Sequence, residues 1–151
     1  MRKSFLLLFL VTFTAITAMS QTTEDSVKSV ISRLTSSMRK SDGIAIMGCF
    51  GDSALYQTVV HDKSGRFFVK NERLLDFANS FMAVPKEAAE ERVNFDVVNI
   101  NGPLASVWIS YKFYYNGSVV FCGIASFQIV RSFGQWRIQY MIDTRETKGC
   151  D

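Results

Sequence analysis

The chain has 151 residues, of which 48% are hydrophobic and 21% charged, and its formal net charge is +3. This length and composition suit one globular domain with a substantial core. The sequence contains no Lys/Arg cluster with interleaved aromatic residues, so we do not expect the protein to bind nucleic acid. One histidine and three cysteines without Cys-x-x-Cys spacing supply too few ligands for a zinc site. No motif indicates a metal or a cofactor, and none is expected.

The first twenty residues have the three parts of a secretory signal peptide. A short basic start precedes an apolar run over residues 5–18, and small residues stand at positions 18 and 20. The run is shorter than the roughly 20 residues of a membrane-spanning helix, so no stable membrane anchor is expected. We therefore predict a signal peptide over residues 1–20, a mature domain over residues 21–151, and a periplasmic or secreted location.

Helical spacing marks the region after the signal. Thr22 or Thr23 is predicted to cap a first helix with an apolar stripe formed by Val27, Val30, Ile31, Leu34 and Met38. Asp42 is predicted to cap a second helix that runs to about Phe50. Asn71 is predicted to cap a third helix that ends before Pro85.

Strand patterns fill the rest of the chain. Residues 55–60 and 67–69 predict a short hairpin around the turn at residues 62–65. Residues 95–145 predict a long antiparallel meander, with turns at Asn101-Gly102-Pro103, Asn116-Gly117 and Phe133-Gly134. Asn-Gly between runs of β-branched and aromatic residues is the strongest local hairpin signal. Helices followed by a meander predict an α+β fold, with the helices packed in a strongly curved antiparallel sheet.

Counting outward from the turns predicts which side chains share a face. Trp108 is expected to face Ala125, and Phe127 to face Tyr140. The predicted inner face then comprises Ser106, Trp108, Ser110, Tyr114, Phe121, Ala125, Phe127, Ile129, Trp136, Ile138, Tyr140 and Ile142. The predicted outer face carries apolar residues with a polar surround, which is typical of an interface and predicts a homodimer. Its members include Val107, Ile109, Tyr111, Ile124, Gln128, Arg137, Gln139 and Met141.

This element order, ending in the Gly-x-Trp-Arg-Ile run at residues 134–138, resembles the nuclear transport factor 2-like superfamily. The group includes SnoaL-like and ketosteroid isomerase-like proteins. The resemblance covers residues 21–151 and implies a cone-shaped fold with a cavity open at one end. The motifs at residues 111–114, 121–123, 126–128 and 143–145, with Cys150, are more narrowly similar to small exported bacterial members of unassigned activity.

The inner aromatic side chains, together with two hydroxyls, predict a site for a small apolar or aromatic molecule. The candidate ligand-binding residues are Trp108, Ser110, Tyr114, Phe121, Phe127, Tyr140 and Thr144. Those aromatic side chains could equally fill the cone. Asp143 and Arg145 share the predicted outer face and are interpreted as a surface ion pair.

His61 is the weak catalytic candidate, since a histidine tuned near neutrality suits proton transfer. It also fits a polar strand end entering a turn. Cys122 and Cys150 are the disulfide candidates, because Cys122 is predicted to lie opposite Arg145 and the tail is long enough to double back.

Three functions stay open from the sequence. The first is non-catalytic binding of a small, mostly apolar or aromatic molecule by an exported protein. The second is an isomerase, dehydratase or cyclase that uses His61 with a cavity tyrosine. The third is a structural dimerisation module whose cavity is filled. A superfold of this kind hosts all three classes, so the residues of the site have to decide between them.

Overall fold

The computed structural model describes residues 22–150, so the predicted signal peptide and its new N-terminus at Gln21 lie outside the described residues. The elements in chain order are α1 (Thr23–Arg39), α2 (Gly43–Met47), β1 (Phe50–His61), β2 (Phe67–Glu72), α3 (Leu74–Met82), β3 (Ala89–Asn101), β4 (Leu104–Tyr115), β5 (Ser118–Ser132) and β6 (Gln135–Thr144). The strands form one six-stranded sheet in the order β2-β1-β6-β5-β4-β3. The fold is α+β, as predicted, but the sheet is mixed because β1 pairs with β6 in parallel.

Helix α1 begins with a capping box. The side chain of Thr22 accepts a hydrogen bond from the Asp25 backbone N–H at 3.0 Å, and Asp25 accepts one from the Thr22 backbone N–H at 3.2 Å. These bonds satisfy two donors that an uncapped helix leaves free. The predicted apolar stripe of α1 is confirmed, since all five of its residues are buried. The helix packs against β3 and β6, so it covers the inner face of the sheet.

Several element boundaries differ from the prediction. Helix α2 ends at Met47 rather than near Phe50, because β1 begins at Phe50. Asn71 does not cap α3: it remains in β2, opposite Gln57, whose side-chain amide donates to Asn71 Oδ1 at 2.7 Å. Arg73 occupies the N-cap without a side-chain hydrogen bond. Tertiary pairing therefore overrides a favourable local cap at Asn71.

The predicted turns of the meander are confirmed. Asn116 and Gly117 have φ values of 48° and 80°, and Phe133 and Gly134 have 49° and 78°. Two successive positive φ values define a type I′ turn, whose twist matches that of the flanking strands. Phe133 adopts this strained backbone conformation with its side chain fully exposed.

A β-bulge changes the predicted register between β4 and β5. Tyr114 pairs with Val119 and Phe113 with Phe121, so Val120 is an extra residue in β5. One extra residue exchanges the two faces of the sheet beyond it. Ile109 rather than Trp108 therefore lies opposite Ala125.

A second β-bulge changes the predicted register between β5 and β6. Ile129 pairs with Ile138, but Gln128 pairs with Tyr140, so Gln139 is the extra residue. The prediction is correct for Trp136 and Ile138, which lie between the bulge and the turn and are buried. Beyond the bulge, Met141 replaces Tyr140 on the inner face.

The predicted outer face is corrected accordingly. Val107, Ile109, Tyr111 and Met141 are buried in the core under the helices. Trp108 is 49% exposed on the opposite side of β4. None of the helices within residues 22–150 has the length and apolar character needed to cross a membrane.

Candidate functional site

A cavity of about 280 Å³ lies between helices α1 and α3 and the inner face of the sheet. Its walls are mainly aromatic and aliphatic. Its lining includes Leu34, Met38, Phe77, Phe81, Phe113, Phe121, Ala125, Phe127 and Met141. Phe113 and Phe121 stack with their ring centroids 4.7 Å apart, which gives the cavity a flat aromatic floor.

A polar cluster interrupts this apolar lining. Asp143 on β6 is only 6% exposed, and its Oδ2 accepts hydrogen bonds from the Tyr111 hydroxyl at 3.2 Å and from Arg145 Nε at 3.0 Å. The Arg145 guanidinium also donates to the hydroxyl of Tyr56 on β1. The Asp143–Arg145 ion pair is predicted on the outer face of the sheet. It lies at the cavity instead, because the bulge in β6 turns Asp143 toward the inner face. Only the arginine reaches solvent, with its side chain 40% exposed.

Burial sets the protonation states in this cluster. It raises the pKa of Tyr56 to about 12, and the charge of Asp143 adds to that rise. The pKa of Tyr111 rises for the same two reasons. Burial alone would lower the pKa of Arg145, but Tyr56 and Asp143 outweigh it and the net change is upward. At neutral pH both tyrosines keep their hydroxyl protons, and the arginine is a fixed cation.

Glu91 on β3 contributes a second carboxyl group to the cavity wall. Burial, followed by the nearby charge of Asp143, raises its pKa to about 7 against the opposing effect of Arg145. Neither a hydrogen bond nor an ion pair engages this carboxyl within residues 22–150. Glu91 therefore titrates near neutrality beside an apolar surface, which is a feature typical of functional sites.

Two buried polar atoms without a hydrogen-bond partner lie in or beside this polar cluster. Among the described residues, Asp143 Oδ1 and Thr58 Oγ1 are buried without a hydrogen-bond partner. The two residues occupy directly paired positions of β6 and β1. A buried polar group without a partner destabilises a fold, and natural proteins tolerate such groups mainly where function requires them.

Only two of the seven predicted ligand-binding residues line the cavity, Phe121 and Phe127. Trp108, Ser110 and Tyr140 lie on the outer face, where the two bulges put them. Ser110 donates to Asp96 at 3.3 Å, and Tyr140 donates to Gln57 at 2.7 Å.

The remaining two predicted residues have other contacts. The ring of Tyr114 stacks under the Arg92 guanidinium, 4.3 Å from its centroid. The hydroxyl of Thr144 accepts a hydrogen bond from the Ile124 backbone N–H at 3.1 Å. Neither belongs to the cavity lining.

His61 ends β1 and is exposed. Its ring meets Phe67 edge-on at 6.2 Å between centroids, and it does not line the cavity. The histidine therefore lies outside the site that contains the cavity tyrosines. In residues 22–150, no three His, Cys, Asp or Glu side chains come close enough together to hold a metal ion.

Sequence reasoning missed Tyr56, Glu91, Tyr111, Asp143 and Arg145 as cavity residues. Asp143 gave a usable signal, because it follows an apolar strand segment and alternates with Met141. Glu91 gave a weaker one, since it alternates with Ala89, Val93 and Phe95. The decisive information was the position of the bulges, which no turn motif predicts.

Cys122 and Cys150 form a disulfide with Cα atoms 5.6 Å apart. The tail after β6 also pairs with β5: Cys122 N–H donates to the Glu146 carbonyl at 2.9 Å, and Glu146 N–H donates to the Cys122 carbonyl at 2.8 Å. Arg145 directly precedes Glu146, the residue that pairs with Cys122. The disulfide and the two backbone hydrogen bonds thus hold the arginine at the cavity rim, with its Cζ atom 5.5 Å from the centroid of the Phe121 ring.

No protein-family model matches the sequence, and neither does any curated protein. Solved structures do resemble the fold. An NTF2-like protein of unknown function from Shewanella baltica has a TM-score of 0.64 at 16% identity, covering 82% of this chain and 93% of its own. A second NTF2-like protein of unknown function, from Methylobacillus flagellatus, has a TM-score of 0.61 at 18% identity over 82% and 91% of the two chains.

A ketosteroid isomerase-like protein from Erwinia carotovora has a TM-score of 0.56 at 13% identity, covering 80% of this chain and 93% of its own. The TM-scores establish that the fold is shared. Because the identities are this low, the similarity does not carry over an activity, which has to be argued from the residues of the cavity. The chain therefore has the NTF2-like, or ketosteroid isomerase-like, fold.

Proposed function

We propose that the protein binds a small, mostly apolar or aromatic molecule in its cavity without converting it. The observation that carries this proposal is the 280 Å³ cavity with aromatic walls and one polar corner. Such a combination is the usual form of a small-molecule site, where apolar area gives affinity and a few polar groups fix orientation. An apolar cavity of about 150 Å³ can hold benzene, so the volume suits a molecule of one or two rings.

Mass spectrometry of the purified protein under native conditions, followed by titration of the co-purifying molecule, tests this proposal. Ala125→Leu places extra volume in the cavity and is expected to weaken uptake at least tenfold. Trp108→Ala and His61→Ala change residues outside the lining and are expected to leave affinity unchanged. Equal affinity in Ala125→Leu and the parent would show that binding occurs elsewhere.

One observation favours a second candidate function, an isomerase, dehydratase or cyclase. General acid–base catalysis needs a group whose pKa lies near the working pH, and Glu91 has that property beside the Tyr111 hydroxyl. His61, the catalytic candidate from the sequence, is the last residue of β1 and does not line the cavity, so it cannot contact a molecule bound there. Turnover that is lost in Glu91→Gln while binding persists would favour the enzyme over the binding protein.

The structural-module alternative required a filled cavity, so the open volume gives it no support. The homodimer that went with it stands as a separate proposal, now assigned to the corrected outer face. Trp108, Val97 and Leu55 are exposed there, and Ile124 and Ile142 lie among Gln and Ser side chains. Apolar residues with a hydrogen-bonding surround are typical of a protein interface.

Export to the periplasm or the medium completes the proposal. The supporting observations are the basic and apolar segments of residues 1–20 and the Cys122–Cys150 disulfide. Disulfides persist in oxidising compartments and are rare in the cytosol.

A further inference from the structure

We propose that the ligand of the cavity is an organic cation, an apolar or aromatic body that carries an amine, and that Glu91 is its anchor. This inference rests on the proposed binding function and specifies the chemical class of the ligand. Three features of the cavity support it: the free carboxyl, the balance of charges and the aromatic walls.

Glu91 is the carboxyl in the lining that lacks a protein partner. Asp143 is already compensated, because Arg145 bonds it at 3.0 Å and Tyr111 donates to it. Glu91 has no such contact within the described part of the chain. Glu91 is half-buried, and withdrawing a carboxylate from water without a counter-charge is unfavourable, so a ligand cation beside it would remove that penalty.

The charges around Glu91 select the sign of the ligand. Asp143 and Arg145 face it from β6 and the tail, Tyr111 and Tyr115 from β4, and Tyr56 from β1. The helices α1 and α3 contribute no titratable side chain to the lining. With Glu91 ionised, the two carboxylates outnumber the one arginine. An anionic ligand would meet this excess negative charge, whereas an ammonium group would neutralise it.

The aromatic walls favour the same class of ligand. Phe113 lies opposite Glu91 in the β3–β4 register, and its ring stacks on Phe121. Aromatic faces attract cations, and such attraction is strongest in a site from which water is excluded. The Arg145 guanidinium already lies over Phe121, one member of this stacked pair. Phe113, the member paired with Glu91 in register, is therefore the ring expected to contact a ligand cation.

Three probes of matched shape test the inference: 1-naphthylmethylamine, 1-naphthylmethanol and 1-naphthylacetate, titrated by calorimetry at pH 8. The amine is expected to bind about ten- to a hundredfold more tightly than the alcohol, the range of a hydrogen bond to a charged group. Its advantage should fall as the pH is lowered through about 7, because Glu91 becomes protonated while the amine keeps its charge. Glu91→Gln should remove the preference and leave alcohol binding intact.

Glu90→Gln is the matched control, since the neighbouring carboxyl pairs with Arg92 and does not line the cavity. Equal binding of amine and alcohol by the parent would overturn the inference but leave the proposed function standing. Tighter binding of the acetate, or equal loss in Glu90→Gln, would also overturn it. If none of the probes and no naphthalene binds, the proposed function itself fails. The comparison of probes in the parent remains decisive if Glu91→Gln does not fold.

Discussion

At the level of single residues, the cavity contains two carboxyl groups in different surroundings: Asp143 is buried and Glu91 is half-buried. Asp143 has an arginine and a tyrosine as hydrogen-bond donors, whereas Glu91 has neither. A partner stabilises the ionised form of a carboxyl, and burial without a partner stabilises the neutral form. Glu91, whose pKa is raised to about 7 mainly by burial, is therefore a carboxyl of the cavity that responds to pH near neutrality.

The pKa of Glu91 makes stability depend on pH. Because burial raises it from 4.5 to about 7, the folded state binds the proton more tightly than the unfolded state, and stability falls as the pH rises between these values. We expect Glu91→Gln to abolish this part of the slope and to stabilise the protein at pH 8 by on the order of 2 kcal/mol. Urea unfolding of both proteins at pH 5 and pH 8 measures it. An unchanged difference between them across this range would contradict the assignment.

At the scale of elements, the end of β6 and the tail that follows it build the rim of the cavity. Gly123 on β5 permits this arrangement, because a Cβ atom there would overlap the carbonyl oxygen of Thr144. The close approach allows Glu146 to pair with Cys122 and places Arg145 over Phe121. Within residues 22–150, Arg145 is the only cationic side chain of the cavity lining. Its position is fixed by Gly123, by the two backbone hydrogen bonds between Cys122 and Glu146, and by the disulfide.

The disulfide is expected to contribute stability as well as position. It joins residues 28 apart in sequence, and closing a loop of this length stabilises by roughly 2–4 kcal/mol through the entropy of the unfolded chain. Cys150→Ser should lose this amount in denaturant unfolding under oxidising conditions. A reductant should bring the parent to the same stability while leaving the variant unchanged. Identical stability of parent and variant without reductant would show that the bond is not formed in solution.

At the scale of the whole molecule, the sheet has one face covered by helices and one face free. The free face carries Trp108 at 49% exposure on β4, the strand next to the edge strand β3. Val97 lies directly opposite Trp108 in the β3–β4 register and is 48% exposed, so the two side chains form an apolar patch, and such patches mark interaction sites. The position agrees with the proposed homodimer, in which both copies would cover this face.

Trp108→Glu is expected to convert the dimer to monomers, because a charge at the centre of an apolar patch is desolvated on association. Multi-angle light scattering over a range of protein concentrations measures the state. Phe133→Glu is the control, since it also replaces an aromatic residue with glutamate, but on the β5–β6 turn at a fully exposed side chain. A parent protein that is monomeric at the highest concentration would refute the interface.

The local features of this protein are encoded by residues that lie close together in the sequence. The α1 stripe and the turns at Asn116-Gly117 and Phe133-Gly134 depend on neighbouring residues alone, and so does the order of helices and strands along the chain. These features respond to periodicity and to backbone preference, which are readable within a few positions. The Cys122–Cys150 pairing also followed, because a shift of one residue leaves both cysteines within reach of each other.

Which side chains line the cavity depends on how the strands pair in the folded protein. The bulges at Val120 and Gln139 exchange the faces of β4 and of the end of β6, and they exclude Trp108 and Tyr140 while admitting Tyr111 and Asp143. A bulge depends on how whole strands fit together around the core rather than on a local motif. Because side chains alternate along a strand, each such single-residue event reverses every inside–outside assignment beyond it.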